Sequence, residues 1–235
     1  MHAEFRFHFD RPQAAPRFAD EAREASARLG NDLPPEQVQL LMHYDAQGPA
    51  KGFPLVQFVH RPGGFAIVAY GKTASVIEPL IEALAQRWAR HTQSPVRVHV
   101  RRFSLYAEES LRPTRYRIDR LVIQKKPWQL KLMREMGEET YLARLIRNGL
   151  RQQASTLGVP LPAFNIEDIR IVRYLESSPV PLDPKKTSAA FASVSGLEFA
   201  LPLILEGRWA VGYLRARGYG GIYPLPLVAS GEIHE

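Results

Sequence analysis

The chain has 235 residues, 45% of them hydrophobic, and a formal net charge of +7. This size and composition exclude a disordered chain and allow one large or two small domains with hydrophobic cores. The absence of cysteine excludes disulfide bonds and thiolate metal sites, and without an apolar signal core or an 18-residue apolar stretch we expect a cytoplasmic protein and no membrane contact.

The first part of the chain has the periodicities of an α+β domain. Residues 2–9, HAEFRFHF, alternate Phe5, Phe7 and Phe9 with polar residues and are typical of a half-buried strand. Apolar spacing and turn residues then predict, in order, a helix from Pro16 to Gly30, a short helix over 35–44, a hairpin of strands 54–60 and 65–71, a helix over 74–91 and a strand over 95–103. This β-α-β-β-α-β order is that of the ferredoxin-like unit, a layout that RNA-recognition domains share.

The second part repeats the theme less regularly. A strand is predicted over 114–126, and a long helical stretch follows from Trp128 to Leu157, which Gly137 and Gly149 can interrupt. Further strands are predicted over 166–175, 188–194 and 197–205, before a glycine-rich loop over 211–222 and a closing segment over 226–233.

Positive charge is concentrated in the middle of the chain. Residues 97–151 contain 14 Lys and Arg against 6 Asp and Glu, whereas the flanking parts are nearly balanced. Arg144, Arg147 and Arg151 fall on one face of the predicted helix. A basic block of this kind points to a polyanion, most often a nucleic acid, and the alternative is a solvated helix face.

The glycine-rich loop fits neither of two common phosphate-binding motifs. A P-loop reading fails because Tyr213 and Leu214 stand where Lys and Ser or Thr are needed. A dinucleotide fingerprint starting at Gly218 fails because a third glycine is missing at Tyr223 and only twelve residues remain after it. There remains a glycine-rich turn flanked by Arg208, Arg215 and Arg217, which either brings N–H groups and guanidinium groups to phosphates or is a hairpin with solvated arginines.

Four stretches carry a resemblance to a known family. They are LMHY at 41–44, LVIQKK at 121–126, LRQQASTLGVPLP at 150–162 and the glycine-rich loop, whose glycines Gly212, Gly218, Gly220 and Gly221 precede Ile222. With these residues the chain resembles the CRISPR repeat-RNA endoribonucleases of the RAMP superfamily, and within them the type IV branch. The resemblance implies an α+β fold of tandem ferredoxin-like (RRM-like) domains with a basic α-helical insertion in the second. The domains expected are 1–103 and 104–235, with the insertion at about 128–157 and the glycine-rich loop at 211–222.

The resemblance also implies a function. Members of this family bind the stem-loop of precursor CRISPR RNA, cleave it without metal through attack of the ribose 2′-hydroxyl, and stay bound to the product as a subunit of the effector complex. The expected partners are therefore the CRISPR RNA stem-loop and other subunits of a type IV complex, and no cofactor or metal is expected. A metal-dependent nuclease is the weaker interpretation because the sequence has no HExxH motif and no paired carboxylates beside histidines.

Two residues are the catalytic candidates. His43 lies where many family members have a histidine base, and imidazole can exchange a proton near neutral pH. Arg23 in the first helix matches the type IV reliance on arginine; its guanidinium would stabilise the phosphate, since it stays charged and cannot readily act as a base. The alternatives are an inert histidine at a helix end and a solvated helix arginine. His60, His91 and His99 are weaker candidates.

A larger set is predicted to bind RNA. It comprises Lys125, Lys126, Arg134, Arg144, Arg147, Arg151, Arg208, Arg215, Arg217 and Tyr219. The basic residues are expected to contact phosphates, and Tyr219 to meet the backbone or stack on a base. Trp128 is expected to pack within the helical segment rather than stack on RNA. Two other functions remain open: an RNA-binding subunit without catalysis, and a scaffold that binds only proteins.

Overall fold

The structure, a computed structural model, describes residues 1–31, 33–45, 48–49, 52–180 and 191–226. They form two compact units. Unit 1 is Met1–Leu105 together with Leu214–Tyr219, and unit 2 is Tyr106–Tyr213 together with the described residues from Gly220 onward. The tip of the glycine-rich loop thus belongs to unit 1, and the residues on either side of it belong to unit 2.

The long strands and the helices of unit 1 follow the predicted order, and two short strands that were not predicted lie between the second helix and the hairpin. The elements of unit 1 are β1 (His2–Phe9), α1 (Ala19–Leu29), α2 (Pro35–Met42), the short strands β2 (Tyr44–Asp45) and β3 (Gly48–Pro49), β4 (Val56–Arg61), β5 (Gly64–Ala69), α3 (Thr73–Thr92) and β6 (Val96–Phe103). The four long strands form an antiparallel sheet in the order β4-β5-β1-β6. The first helix begins at Ala19 rather than after Pro16, because Phe18 is still extended at the N-cap.

The core of unit 1 is aromatic. Phe5, Phe7 and Phe9 of β1 are all buried, as their alternation predicts. The Phe7 ring stacks on Phe65 at 4.5 Å between centroids, and Phe9 meets the Trp88 ring of α3 edge to face at 5.5 Å. Burial of such large side chains is the main stabilising contribution to a domain of this size.

Unit 2 contains a second sheet with the same arrangement of strands. Its elements are β7 (Tyr106–Gln124), α4 (Pro127–Met136), α5 (Glu138–Leu157), β8 (Arg170–Val180), β9 (Phe191–Glu206) and β10 (Ile222–Pro224). The order β10-β7-β9-β8 places the fourth, first, third and second strands of the unit side by side, as in unit 1. In the fully described stretch 207–221, however, no α-helix connects the last two strands. A ferredoxin-like description of unit 2 therefore stays a prediction.

Several boundaries in unit 2 differ from those predicted. The helical stretch is interrupted at Gly137, but Gly149 does not interrupt it: α5 continues through Gly149, whose missing side chain lets Val211 approach so closely that a Cβ would lie 2.7 Å from the Val211 Cβ. The two strands predicted over 188–205 are one strand, β9, although 188–190 lie outside the described residues. Strand β8 begins at Arg170 instead of 166, because 166–169 form a turn closed by the Ile169 N–H on the Ile166 carbonyl. Of the closing segment 226–233, only Pro226 is described.

A buried carboxylate joins the three long strands of unit 2. Glu198 on β9 accepts hydrogen bonds from Arg115 on β7, at 2.8 Å, and from Arg173 on β8. The hydrogen bond from Arg173 lowers the pKa of Glu198, and burial opposes this shift. The ionised carboxylate therefore contributes to the stability of the sheet.

Among the described residues, no helix is both long and apolar enough to cross a bilayer.

Candidate active site and nucleic-acid interface

Arg23 is buried, so the solvated-arginine alternative is wrong. The residue lies on α1, its exposed fraction is 7%, and its Nη2 donates a hydrogen bond of 2.6 Å to the carbonyl of Met42. The guanidinium carbon lies 5.6 Å from the centre of the Tyr44 ring, and the buried Nε atom has no hydrogen-bond acceptor among the described residues. Arg23 thus fixes the C-terminal end of α2 to α1, and its Nε–H can still take an acceptor.

His43 lies directly after the carbonyl that Arg23 holds. It is the C-cap of α2 and has a left-handed backbone with φ of 54°. Its backbone N–H donates to the carbonyls of Gln39 and Leu40 at the end of the helix, and the residue is partly exposed. The two catalytic candidates therefore belong to one local structure, in which the arginine holds the peptide bond between Met42 and the histidine.

The flanks of the glycine-rich loop are held by backbone hydrogen bonds in unit 2. The Val211 N–H donates to the Gly220 carbonyl at 2.9 Å, and the Gly220 N–H donates to the backbone carbonyl of Arg120 at 2.9 Å. The Tyr213 N–H donates to the backbone carbonyl of Val122 at 3.0 Å. Three of the four predicted loop glycines have positive φ, namely Gly212, Gly218 and Gly220. Gly221 instead joins Ala210 in an isolated antiparallel bridge.

The two arginines at the loop tip have partners within unit 1. Arg215 has an exposed fraction of 8%; its guanidinium stacks over the Phe53 ring at 4.9 Å and donates to the Gly52 carbonyl at 3.3 Å. Arg217 forms an ion pair with Asp20 on α1, with Nη1 2.7 and 2.8 Å from the two carboxylate oxygens. The ion pair of Arg217 anchors the tip to α1, the helix that carries Arg23. RNA contact by Arg215 and Arg217 stays a prediction. Tyr219 is partly exposed beside them.

The basic residues before and within α4 face solvent. Lys125 and Lys126 follow β7, Lys126 is the N-cap of α4, and both are exposed, as is Arg134. Arg134 makes one bond within its own helix, from Nε to the Leu130 carbonyl at 3.3 Å. These cations are therefore available to an anionic partner.

The three arginines of α5 have different surroundings. Arg144 and Arg147 are partly exposed and Arg151 is exposed. Burial raises the pKa of Tyr141, and the positive charge of Arg144 opposes this shift. Arg147 and Arg151 line a common cavity in unit 2. Arg208 is partly exposed, and its carbonyl accepts a hydrogen bond from Gln153 at 2.7 Å.

Trp128 is exposed, which corrects the expectation that it packs within the helical segment. Its exposed fraction is 60% at the start of α4, two residues after Lys126. No local sequence signal marks this exposure, since Gln129 in the same first turn is buried. An exposed tryptophan among lysines is a suitable surface for stacking an unpaired base.

Within the described ranges, His, Cys, Asp and Glu form no group of three or more that could hold a metal ion. The histidines regarded as weaker candidates lie at the surface: His60, His91 and His99 are exposed.

Comparisons with known proteins agree with this fold. A family model described as type IV CRISPR-associated endonuclease Csf5 matches residues 5–226. A comparison with curated proteins finds no match. A solved structure titled "Csf5, CRISPR-Cas type IV Cas6 crRNA endonuclease" is 22% identical with a TM-score of 0.71, and the match covers 96% of this chain and 99% of that one.

Two further solved structures have the same fold at lower identity. One is a Cas6b crystal structure, 14% identical with a TM-score of 0.61, matched over 96% of this chain and all of that one. The other is a Cas6 product complex, 15% identical with a TM-score of 0.51, matched over 95% and 99%. The resemblance to the type IV branch is thereby confirmed, and the chain belongs to the family of type IV CRISPR-associated endonucleases, Csf5.

Proposed function

We propose that this protein is an endoribonuclease that binds the repeat stem-loop of precursor CRISPR RNA, cleaves it without a metal ion and keeps the product bound as a subunit of a type IV effector complex in the cytoplasm. The observation that carries the proposal is the family match over residues 5–226. The exposed cations of α4 and α5 support an RNA partner, because phosphate contacts dominate the affinity of proteins for nucleic acids.

The proposed reaction is an internal transfer at the scissile phosphate. The ribose 2′-oxygen forms a bond to phosphorus, the bond from phosphorus to the 5′-oxygen breaks, and the products carry a 2′,3′-cyclic phosphate and a 5′-hydroxyl. The 2′-hydroxyl proton must be taken up, the leaving oxygen must be protonated, and cations must stabilise the charge that develops on the phosphate.

We assign the proton transfer to His43 and the stabilisation of the phosphate to Arg23. Neutral imidazole can accept the 2′-hydroxyl proton, and imidazolium can return one to the leaving oxygen. Arg23 already donates to the carbonyl of Met42, so it first orients the peptide that carries His43. Its Nε–H, which has no acceptor among the described residues, is the donor that we propose for a phosphate oxygen.

The RNA-binding role falls first to the exposed cations Lys125, Lys126 and Arg134, and then to the arginines of α5. An A-form stem is recognised by its shape and backbone more than by its sequence, so these contacts would set affinity rather than choice of sequence. Contacts by Arg208, Arg215, Arg217 and Tyr219 are proposed for the foot of the stem. For Arg215 and Arg217, such contacts would have to compete with partners inside the protein.

The direct test is cleavage of the cognate repeat hairpin by purified protein in EDTA. A single cut is expected, with a cyclic phosphate that acid converts to a 2′- or 3′-monophosphate. RNA that is shifted in a gel but intact would identify a non-catalytic RNA-binding subunit, and no salt-sensitive shift would identify a protein-binding scaffold. Product that co-elutes with the protein in size-exclusion chromatography is expected if the RNA is retained.

The basic surface has its own test. Changing Lys125 and Lys126 to Ala together is expected to weaken hairpin binding and to reduce the slope of log K against log salt by about 1.5, since each lost phosphate contact removes about 0.7–0.9. The matched control changes Arg28 and Arg90 to Ala; both are exposed on helices of unit 1 and their loss removes the same charge. Equal changes in slope for the two variants would contradict RNA contact at the start of α4.

A further inference from the structure

A cavity in unit 2 lies beside the C-terminal half of α5. Its volume is about 520 Å³, and its wall is formed by α5 and by the irregular segment 159–168 that follows it. Ligand pockets in proteins generally measure about 300–1,000 Å³. The cavity is therefore large enough for a small organic ligand.

The wall combines two cations with apolar surface. Arg147 and Arg151 are one helical turn apart on the same face of α5 and both border the cavity. Arg147 is held in place, because its Nε donates to the Phe164 carbonyl at 3.1 Å. Val159 and Leu161 line the same space. Guanidinium groups beside apolar side chains suit a ligand that has an anionic end and a flat apolar end.

Some residues of the stretch LRQQASTLGVPLP at 150–162 have a structural role, and others border the cavity without one. Gln153 has a structural role: it is fully buried, donates to the Arg208 carbonyl at 2.7 Å and accepts from the Ala210 N–H at 2.8 Å. Gly158 ends α5 with a left-handed backbone. Arg151 and Ser155, by contrast, are exposed and border the cavity.

We propose that this cavity binds a single nucleotide unit, with its phosphate at the two guanidinium groups and its base against the apolar wall. Asp168 also borders the cavity, and its carboxylate accepts the Asn165 N–H at 2.7 Å. This negative charge repels an anion more strongly the more charges the anion carries, so a monophosphate fits better than a di- or triphosphate. Given the proposed function, the source is an unpaired nucleotide of the bound RNA, and a free nucleotide has the same chemistry.

The first experiment measures binding of guanosine monophosphate, guanosine and inorganic phosphate to the full chain by calorimetry and by NMR. Guanosine monophosphate is expected to bind more tightly than either fragment. Ser155→Trp fills the cavity, and Arg151→Gln removes one charge-assisted hydrogen bond, so each is expected to weaken this binding at least about 10-fold. The matched controls are Thr156→Trp, an exposed neighbour on α5 outside the cavity wall, and Arg170→Gln, an exposed arginine on β8; neither is expected to weaken binding.

Three results would overturn the proposal: no binding of guanosine monophosphate, binding no tighter than that of inorganic phosphate, or equal binding by Ser155→Trp and Thr156→Trp with both melting as the unchanged protein does. Should Ser155→Trp unfold, Arg151→Gln against Arg170→Gln supplies the same comparison. None of these measurements depends on cleavage. A protein that leaves RNA intact would therefore contradict the proposed function but not the proposal that the cavity binds a nucleotide.

A second experiment identifies the source of the nucleotide. The dissociation constant of the cognate hairpin is measured for Ser155→Trp and Thr156→Trp. Weaker RNA binding by Ser155→Trp alone, by about 10-fold, assigns the cavity to a nucleotide of the RNA. Unchanged RNA binding, together with lost binding of guanosine monophosphate, assigns it to a free nucleotide.

Discussion

Gly220→Ala is expected to destabilise the flank of the glycine-rich loop severely. Gly220 has φ of 78°, and a Cβ built on it would lie 1.8 Å from the Val211 carbonyl oxygen. An ordinary contact at such an atom is 3.4 Å or more. Because the obstacle is backbone rather than the end of a flexible side chain, the two chain segments must move apart.

The expected loss in free energy of unfolding is the sum of three effects. A left-handed backbone costs a residue with a Cβ about 1–2 kcal/mol, and overpacking costs about 1–3 kcal/mol. Separation also strains the hydrogen bonds from Val211 to Gly220 and from Gly220 to Arg120, each worth about 1 kcal/mol. We therefore expect a loss of about 4–7 kcal/mol, which for a chain of this length lowers the melting temperature by roughly 8–28 °C.

The assay is calorimetric melting of Gly220→Ala beside Gly158→Ala. Gly158 also has a left-handed backbone, with φ of 64°, but a Cβ there meets nothing within 4 Å. Gly158→Ala is therefore expected to lose only the backbone contribution, about 1–2 kcal/mol. Melting temperatures within 2 °C of each other would refute the close approach of Gly220 to Val211.

Three other predictions concern single side chains. Trp88 and Trp209 are buried, with exposed fractions of 3% and 2%, so iodide is expected to quench the fluorescence of Trp128 selectively. Bound hairpin RNA is expected to reduce this quenching, and quenching that RNA does not change would contradict stacking at Trp128. Arg23→Ala is expected to lower the free energy of unfolding by about 1.5–3 kcal/mol and to slow cleavage more than it weakens RNA binding; an unchanged rate per folded molecule would limit Arg23 to a structural role. Because the folded-state pKa of Glu198 is lowered, its contribution to stability is present above the ordinary value of 4.5 and is lost as pH falls through the lowered pKa. Glu198→Gln is thus expected to destabilise the protein at pH 7 and progressively less below about pH 4.5 in urea titrations, and a penalty independent of pH would contradict this assignment.

Local periodicity was sufficient to predict most elements of unit 1. The alternation of Phe5, Phe7 and Phe9 predicts a strand with one buried face, and the structure buries all three. Gly137 was correctly expected to interrupt the helical stretch, but Gly149 was not distinguishable from it in sequence. The difference is tertiary, since Gly149 is required by the approach of Val211 from another part of the chain.

The environment of individual arginines was not predictable in the same way. An arginine on a predicted helix or in a loop is expected to face solvent, yet Arg23 and Arg215 are both buried. Arg23 donates a hydrogen bond to the carbonyl of Met42, 19 residues away, and Arg215 stacks on the ring of Phe53. Trp128 reads as a packing residue and is exposed. In each case the partner, or its absence, is set by residues distant in sequence.

The sequence by itself determined the family, the order of elements in unit 1 and the basic character of residues 97–151, because composition, spacing and short motifs are local properties of the chain. Only the tertiary structure decided which cations face solvent, that Arg23 holds the peptide before His43, and that Arg147 and Arg151 border a cavity. The physical reason is that burial and hydrogen bonding depend on which segments the fold brings together. A guanidinium that meets backbone carbonyls holds two segments in place, whereas one that lies beside a cavity can bind a ligand.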